Sequence, residues 1–203
     1  MAGRVDPRFE LAAVLLARSG ARSAALMRCM RSMVDEPLDV PPPDGYAPHG
    51  WVLWPAMKQQ DRVLNYLTAR QREALDRAWS KDSGYLSVLE TRWHARGEDY
   101  ALLPGGTLPR SGVIRRPRQP VSSSMLHRWL AQAEELAGIE HVERRAWHAF
   151  RRAVADLIER EAGIDVLMTH GGWRSRDMPE RTYTERLKHH RLKRAREVTE
   201  GET

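Results

Sequence analysis

The sequence holds one cysteine, Cys29, which excludes an internal disulfide and fits a reducing compartment. Long apolar runs are missing. The one near the start, Leu11 to Ala17, is too short to span a membrane and meets Arg18 at once. Asp6 and Glu10 precede it and no cleavage site follows, so it lacks the layout of a signal peptide. These gaps predict a cytoplasmic chain with no membrane partner. Lysine is scarce: of 33 basic residues, only Lys58, Lys81, Lys188 and Lys193 are lysines. Internal repeats and low-complexity segments are also missing.

What remains is ordinary for a soluble globular chain. Its 203 residues suit one domain or one and a half, with 41% hydrophobic and 30% charged residues. The formal charge is +6 and the pI about 9.9. That balance favours a polyanionic partner such as nucleic acid. Nearly all of the positive charge is arginine, whose planar fork grips a phosphate with two hydrogen bonds. A GC-rich coding sequence would give the same bias.

Apolar positions at helical spacing over residues 8–19 predict a helix punctuated by Ser19-Gly20. A second helix is expected over about 21–33, then a loop from Asp39 to Gly50. Trp51–Trp54 and Arg62–Leu67 read as strands flanking a polar turn, so the pair predicts a β-hairpin. Thr68 is placed to cap a helix reaching about Ser80. Residues 81–99 are ambiguous, with a possible helix over 85–95. Tyr100–Leu103 is a short apolar run, and 110–120 a basic, proline-bearing loop. Ser122–Ser124 should cap a helix to about Ala137. Helices are also expected from Trp147 to about Glu161 and from there to His170. The charged tail after Thr184 reads as helical. The fold class is therefore mostly α with a small antiparallel β-sheet (α+β).

Several residues carry possible chemistry. His148 and Arg151 share a helix face and could hold one anion while one of them moves a proton. Gly172-Trp173 lies ten residues before Tyr183. Arg22 follows Ser19-Gly20-Ala21, and Lys58 sits in the hairpin turn. Singly, each has a bland explanation: chance pairing, core aromatics, solvated cations.

Their order is more specific. Ser-Gly-Ala-Arg22, Lys58 between two strands, His148-Ala-Phe-Arg151, Gly172-Trp173 and Tyr183 together resemble the catalytic domain of the tyrosine recombinase (phage integrase) family. Ala137-Gly-Ile139 and Ala162-Gly-Ile-Asp165 are similar to it as well. The sequence departs from the family in having Ser19 for the usual threonine. It also has Ala25 where an acid commonly stands.

The resemblance implies the tyrosine recombinase catalytic-domain fold over residues 1–183. Residues 184–203 would form a charged tail that docks on a neighbouring protomer. A separate helical DNA-binding domain precedes the catalytic one in the family, and this sequence starts almost at the latter. The implied activity is cleavage and rejoining of double-stranded DNA through a 3′-phosphotyrosyl bond, as in integration or other mobile-element recombination. Tyr183 would be the nucleophile, Arg22 and Arg151 the phosphate clamp, Lys58 the general acid and His148 the general base. The Trp173 indole would donate to a phosphate oxygen. A tetrameric assembly on nucleoid DNA is implied, with no cofactor and no metal; the histidines show no metal-ligand spacing. Arg115, Arg116 and Arg118 would touch the DNA backbone. A type IB topoisomerase shares the chemistry, but the H-x-x-R layout fits recombinases better. The competing readings are a catalytically incompetent DNA-binding remnant of the same fold and a plain basic helical protein.

Overall fold

Asp6 and Pro7 start the first helix. The Asp6 carboxylate accepts from the Arg8 amide at 3.0 Å, and Pro7 supplies a preset backbone angle at the first helical position. The computed structural model describes residues 5–57, 61–80, 84–106, 117–140, 146–173 and 175.

Helix α1 (Pro7–Ser19) is the central element. Its Leu11, Ala12, Leu15 and Leu16 are buried, and it packs against α3 (Ala69–Trp79), α5 (Ser123–Leu136) and α6 (His148–Ala162). Each such leucine is worth about 1.5–3 kcal/mol of burial, so the apolar stripe of α1 explains why the other helices gather on it.

Helix α2 (Ser23–Arg28) is shorter than expected. The helical pattern to Met33 is interrupted because Cys29 and Met30 are extended, and only a 3₁₀ turn, Arg31–Met33, resumes it. The cause is tertiary. Met30 bridges Ala101, the Leu102 amide donates to the Cys29 carbonyl at 2.8 Å, and the Arg31 amide donates to the Tyr100 carbonyl at 2.8 Å. Pairing with the buried Tyr100–Leu103 run replaces the helical bonds.

Strands β1 (Trp51–Trp54) and β2 (Val63–Tyr66) form the expected antiparallel hairpin, with Trp51 opposite Tyr66 and Trp54 opposite Val63. Thr68 caps α3, and Gln71 returns the bond to the Thr68 amide at 2.9 Å, a capping box. Helix α4 (Ser87–Arg92) and a 3₁₀ turn, His94–Arg96, fill the ambiguous stretch. Ser122 caps α5, and α7 (Ile164–Gly171) follows α6 after Gly163. The fold is mostly helical with a two-stranded antiparallel sheet. Among the described residues, no helix is long and apolar enough to cross a membrane. Lys58, Arg115, Arg116, Tyr183 and the charged tail lie outside the described residues.

Candidate active site

The site is built on the end of α1. The Ser19 hydroxyl donates to the Leu15 carbonyl at 2.8 Å and accepts from the Ala21 amide at 3.1 Å. Gly20 takes the left-handed conformation at φ 61°, which spares the backbone a Cβ clash. Together they turn the chain so that Arg22 stands at the cap of α2 in an extended conformation.

Arg151 comes from α6 and is only 7% exposed. Its guanidinium donates to the Gly20 carbonyl at 2.6 Å, with a longer contact to the Gly171 carbonyl at 3.5 Å. A helix C-terminus presents carbonyls without intrahelical partners and the negative end of its dipole, which suits a cation. Arg151 is therefore aimed by the end of α1, next to Arg22.

Trp173 covers Arg151, its ring 4.2 Å from the guanidinium carbon. The glycine pair makes this possible. A Cβ on Gly171 would lie 1.7 Å from the Trp173 ring, and one on Gly172 would lie 2.2 Å from Val63. The sequence spends two glycines here because an aromatic ring and strand β2 both press on the backbone.

Arg22 and Arg151 line one pocket with Ala25, Trp54, Met57 and Asp61. Met57 immediately precedes Lys58 in sequence. Ala25 is buried; among the described residues, the carboxylate lining this pocket is that of Asp61, ahead of β2. His148, one turn before Arg151 on α6, is exposed. Partial desolvation pushes its pKa below the usual histidine value, and the cations of Arg151, Arg152, Arg22 and His127 push the same way. Those cations place His148 in the field of the arginine pair and keep its imidazole neutral, able to accept a proton near pH 7.

The structure thus brings together Arg22, Arg151 and Trp173, with His148 one turn along α6 from Arg151. Arg118 is elsewhere: its side chain is exposed and lies 3.9 Å from the Glu98 carboxylate. Such an exposed pair contributes little to stability.

Sequence reasoning missed His170. It lines the same pocket, and its Nε2 is 2.8 Å from the Ser19 carbonyl. Burial lowers its pKa, the Ser19 bond raises it, and Arg151 lowers it again. The available signal was a lone histidine in the last turn of a short, largely apolar helix, directly before the glycine pair.

No protein-family model matches the sequence, and no curated protein matches it. Solved structures do. The chain is similar to the XerH site-specific recombinase bound to palindromic difH substrate in a post-cleavage complex, with TM-score 0.62 and 17% identity. That match covers 98% of this chain and 48% of the other. The pre-cleavage complex of XerH with difH substrate gives TM-score 0.58 and 16% identity over 91% of this chain and 44% of the other. The chain spans about half the length of the structures it matches. With helices packed on α1 and, among the described residues, one β-hairpin, the chain has the fold of a tyrosine recombinase catalytic domain.

Proposed function

We propose that this chain cleaves and rejoins double-stranded DNA as a site-specific recombinase, through a phosphotyrosyl bond formed by Tyr183. The observation that carries this reading is the joining of Arg22 and Arg151, far apart in sequence, in one pocket with Trp173 stacked on Arg151. Two arginines lining one pocket suit a tetrahedral anion with several oxygens. Recombinase–DNA complexes among the similar structures support the choice of DNA as that anion's source.

In this reading the scissile phosphate binds between Arg22 and Arg151. Negative charge grows on its non-bridging oxygens as the Tyr183 oxygen attacks phosphorus. Fixed donors aimed at that charge lower the barrier. His148 accepts the phenolic proton, and its depressed pKa keeps it neutral for the task. Lys58 gives a proton to the departing 5′-oxygen. Trp173 closes over Arg151 and holds it in place. The phosphotyrosyl bond replaces the phosphodiester bond, so attack by a new 5′-hydroxyl restores the DNA without an external energy source. Arg115, Arg116 and Arg118 would contact the backbone. Protomers would assemble on DNA through the tail, in a cytoplasmic, DNA-associated setting.

The test is covalent capture. Nicked suicide duplexes, drawn from DNA flanking the gene and from a random pool, should give a protein–DNA adduct on a denaturing gel. Tyr183→Phe should bind DNA equally and give no adduct. An adduct that persists in Tyr183→Phe would mean another nucleophile. Binding without an adduct in the parent protein would favour the non-catalytic DNA-binding reading.

A further inference from the structure

We propose that His170 is a positioning residue, a neutral strut that joins α1, β2 and α7 around the arginine pair and works only with its single proton on Nε2. The argument starts from Trp54. An indole nitrogen only donates, and Trp54 Nε1 lies 2.8 Å from Asn65 Oδ1. That bond fixes the Asn65 amide with its oxygen toward Trp54 and its nitrogen toward α7. The Asn65 nitrogen, on a residue 5% exposed, is 3.1 Å from the Leu64 carbonyl, 3.2 Å from the His170 carbonyl and 3.4 Å from His170 Nδ1. His170 Nδ1 therefore faces a donor and must be the accepting nitrogen.

The other ring nitrogen faces the reverse. His170 Nε2 is 2.8 Å from the Ser19 carbonyl, which only accepts, so Nε2 must carry the proton. One protonation state satisfies every partner. A second proton, on Nδ1, would point at an N–H of Asn65. Among the described residues, the charged and titratable groups around the ring are Arg151 on α6, Arg22 at the start of α2, Asp61 ahead of β2, and Tyr66 and Asp165 across the neighbouring groove.

The strut's reach explains its importance. Ser19 belongs to the turn that sets Arg22, and its neighbour Gly20 holds Arg151. Asn65 lies on the strand that returns from the Lys58 turn. His170 stands three residues before Trp173. One ring thus sets the spacing between the parts that would grip phosphate. Its consequence for cleavage rests on the proposed recombinase reading; its hydrogen bonds do not.

The experiment uses the full chain labelled with ¹⁵N-histidine. The His170 imidazole should appear at pH 7.5 as the neutral tautomer with its proton on Nε2; the other tautomer, or a charged ring, would overturn the proposal. Asn65→Asp keeps the acceptor for Trp54 but turns the donor facing Nδ1 into a carboxylate. It should raise the His170 protonation midpoint by about 1–3 pH units, and the acid limb of adduct formation should rise with it. A raised midpoint with an unmoved pH profile would show that His170 does not position the site. His170→Leu should slow adduct formation by up to about 10²-fold without changing DNA affinity, and His170→Gln, which keeps a donor, should recover most of it. If the parent protein forms no Tyr183 adduct, the recombinase reading fails by itself. The tautomer, and faster exchange of the Trp54 indole proton in His170→Leu, then decide the strut alone.

Discussion

Arg151 is a buried cation whose partners include two backbone carbonyls and an aromatic face, so the fold helps to set its position. In the proposed reaction, truncating it would remove a donor aimed at developing charge. Arg151→Ala should lower the rate of adduct formation by about 10²–10³-fold or more, measured on suicide DNA, and Arg151→Lys should not rescue it, because a point charge cannot replace the planar fork. His148 supplies a pH signature. Its pKa lies below the ordinary 6.5, so it is neutral through the neutral range. A base must be neutral to act, so the cleavage rate should stay flat as pH falls to 6.5 and drop only below it. A rate–pH profile at constant ionic strength checks this; an acid limb centred above 6.5 would assign the base elsewhere. At this scale much was legible. The family resemblance singles out Arg22, His148, Arg151 and Trp173; Arg22 and Arg151 line one pocket, and Trp173 lies on Arg151. His170 was not legible, because its role depends on Asn65, 105 residues away, and on which nitrogen faces which partner.

Elements fail or hold at their ends. Gly171 closes α7 under the Trp173 ring, and a methyl group there would sit 1.7 Å from it. Gly171→Ala should displace the ring, destabilise the protein by about 1–3 kcal/mol as overpacking does, and slow cleavage. Denaturant melts and the adduct assay read the two effects separately. Thr68 opens α3 with a reciprocal cap. Thr68→Ala should cost about 1 kcal/mol and leave the cleavage rate unchanged, which makes it a control for stability alone. Local signals placed β1, α1 and α3 closely, because caps, alternation and apolar stripes are local. They overextended α2. Cys29 and Met30 carry no breaker; they leave the helix because Tyr100–Leu103 offers them strand-like partners.

The molecule as a whole carries a formal charge of +6, nearly all of its basic residues being arginine. If DNA is the partner, log affinity should fall linearly with log salt, by about 0.9 for each phosphate neutralised. Substituting Arg115, Arg116 and Arg118 together by alanine should make that slope shallower while leaving the cleavage rate of bound DNA unchanged; equilibrium binding across a salt series tests it. An unaltered slope would remove this loop from the interface. Periodicity, capping and spacing along the chain suffice for the fold class, the hairpin, most helix boundaries and the order of the candidate site residues. Only the tertiary structure decided that the C-terminal carbonyls of α1 aim Arg151 and His170, that Trp173 lies on the guanidinium, and that α2 stops at Arg28. Each of these depends on a contact between residues far apart in sequence, and such contacts exist only once the chain is folded.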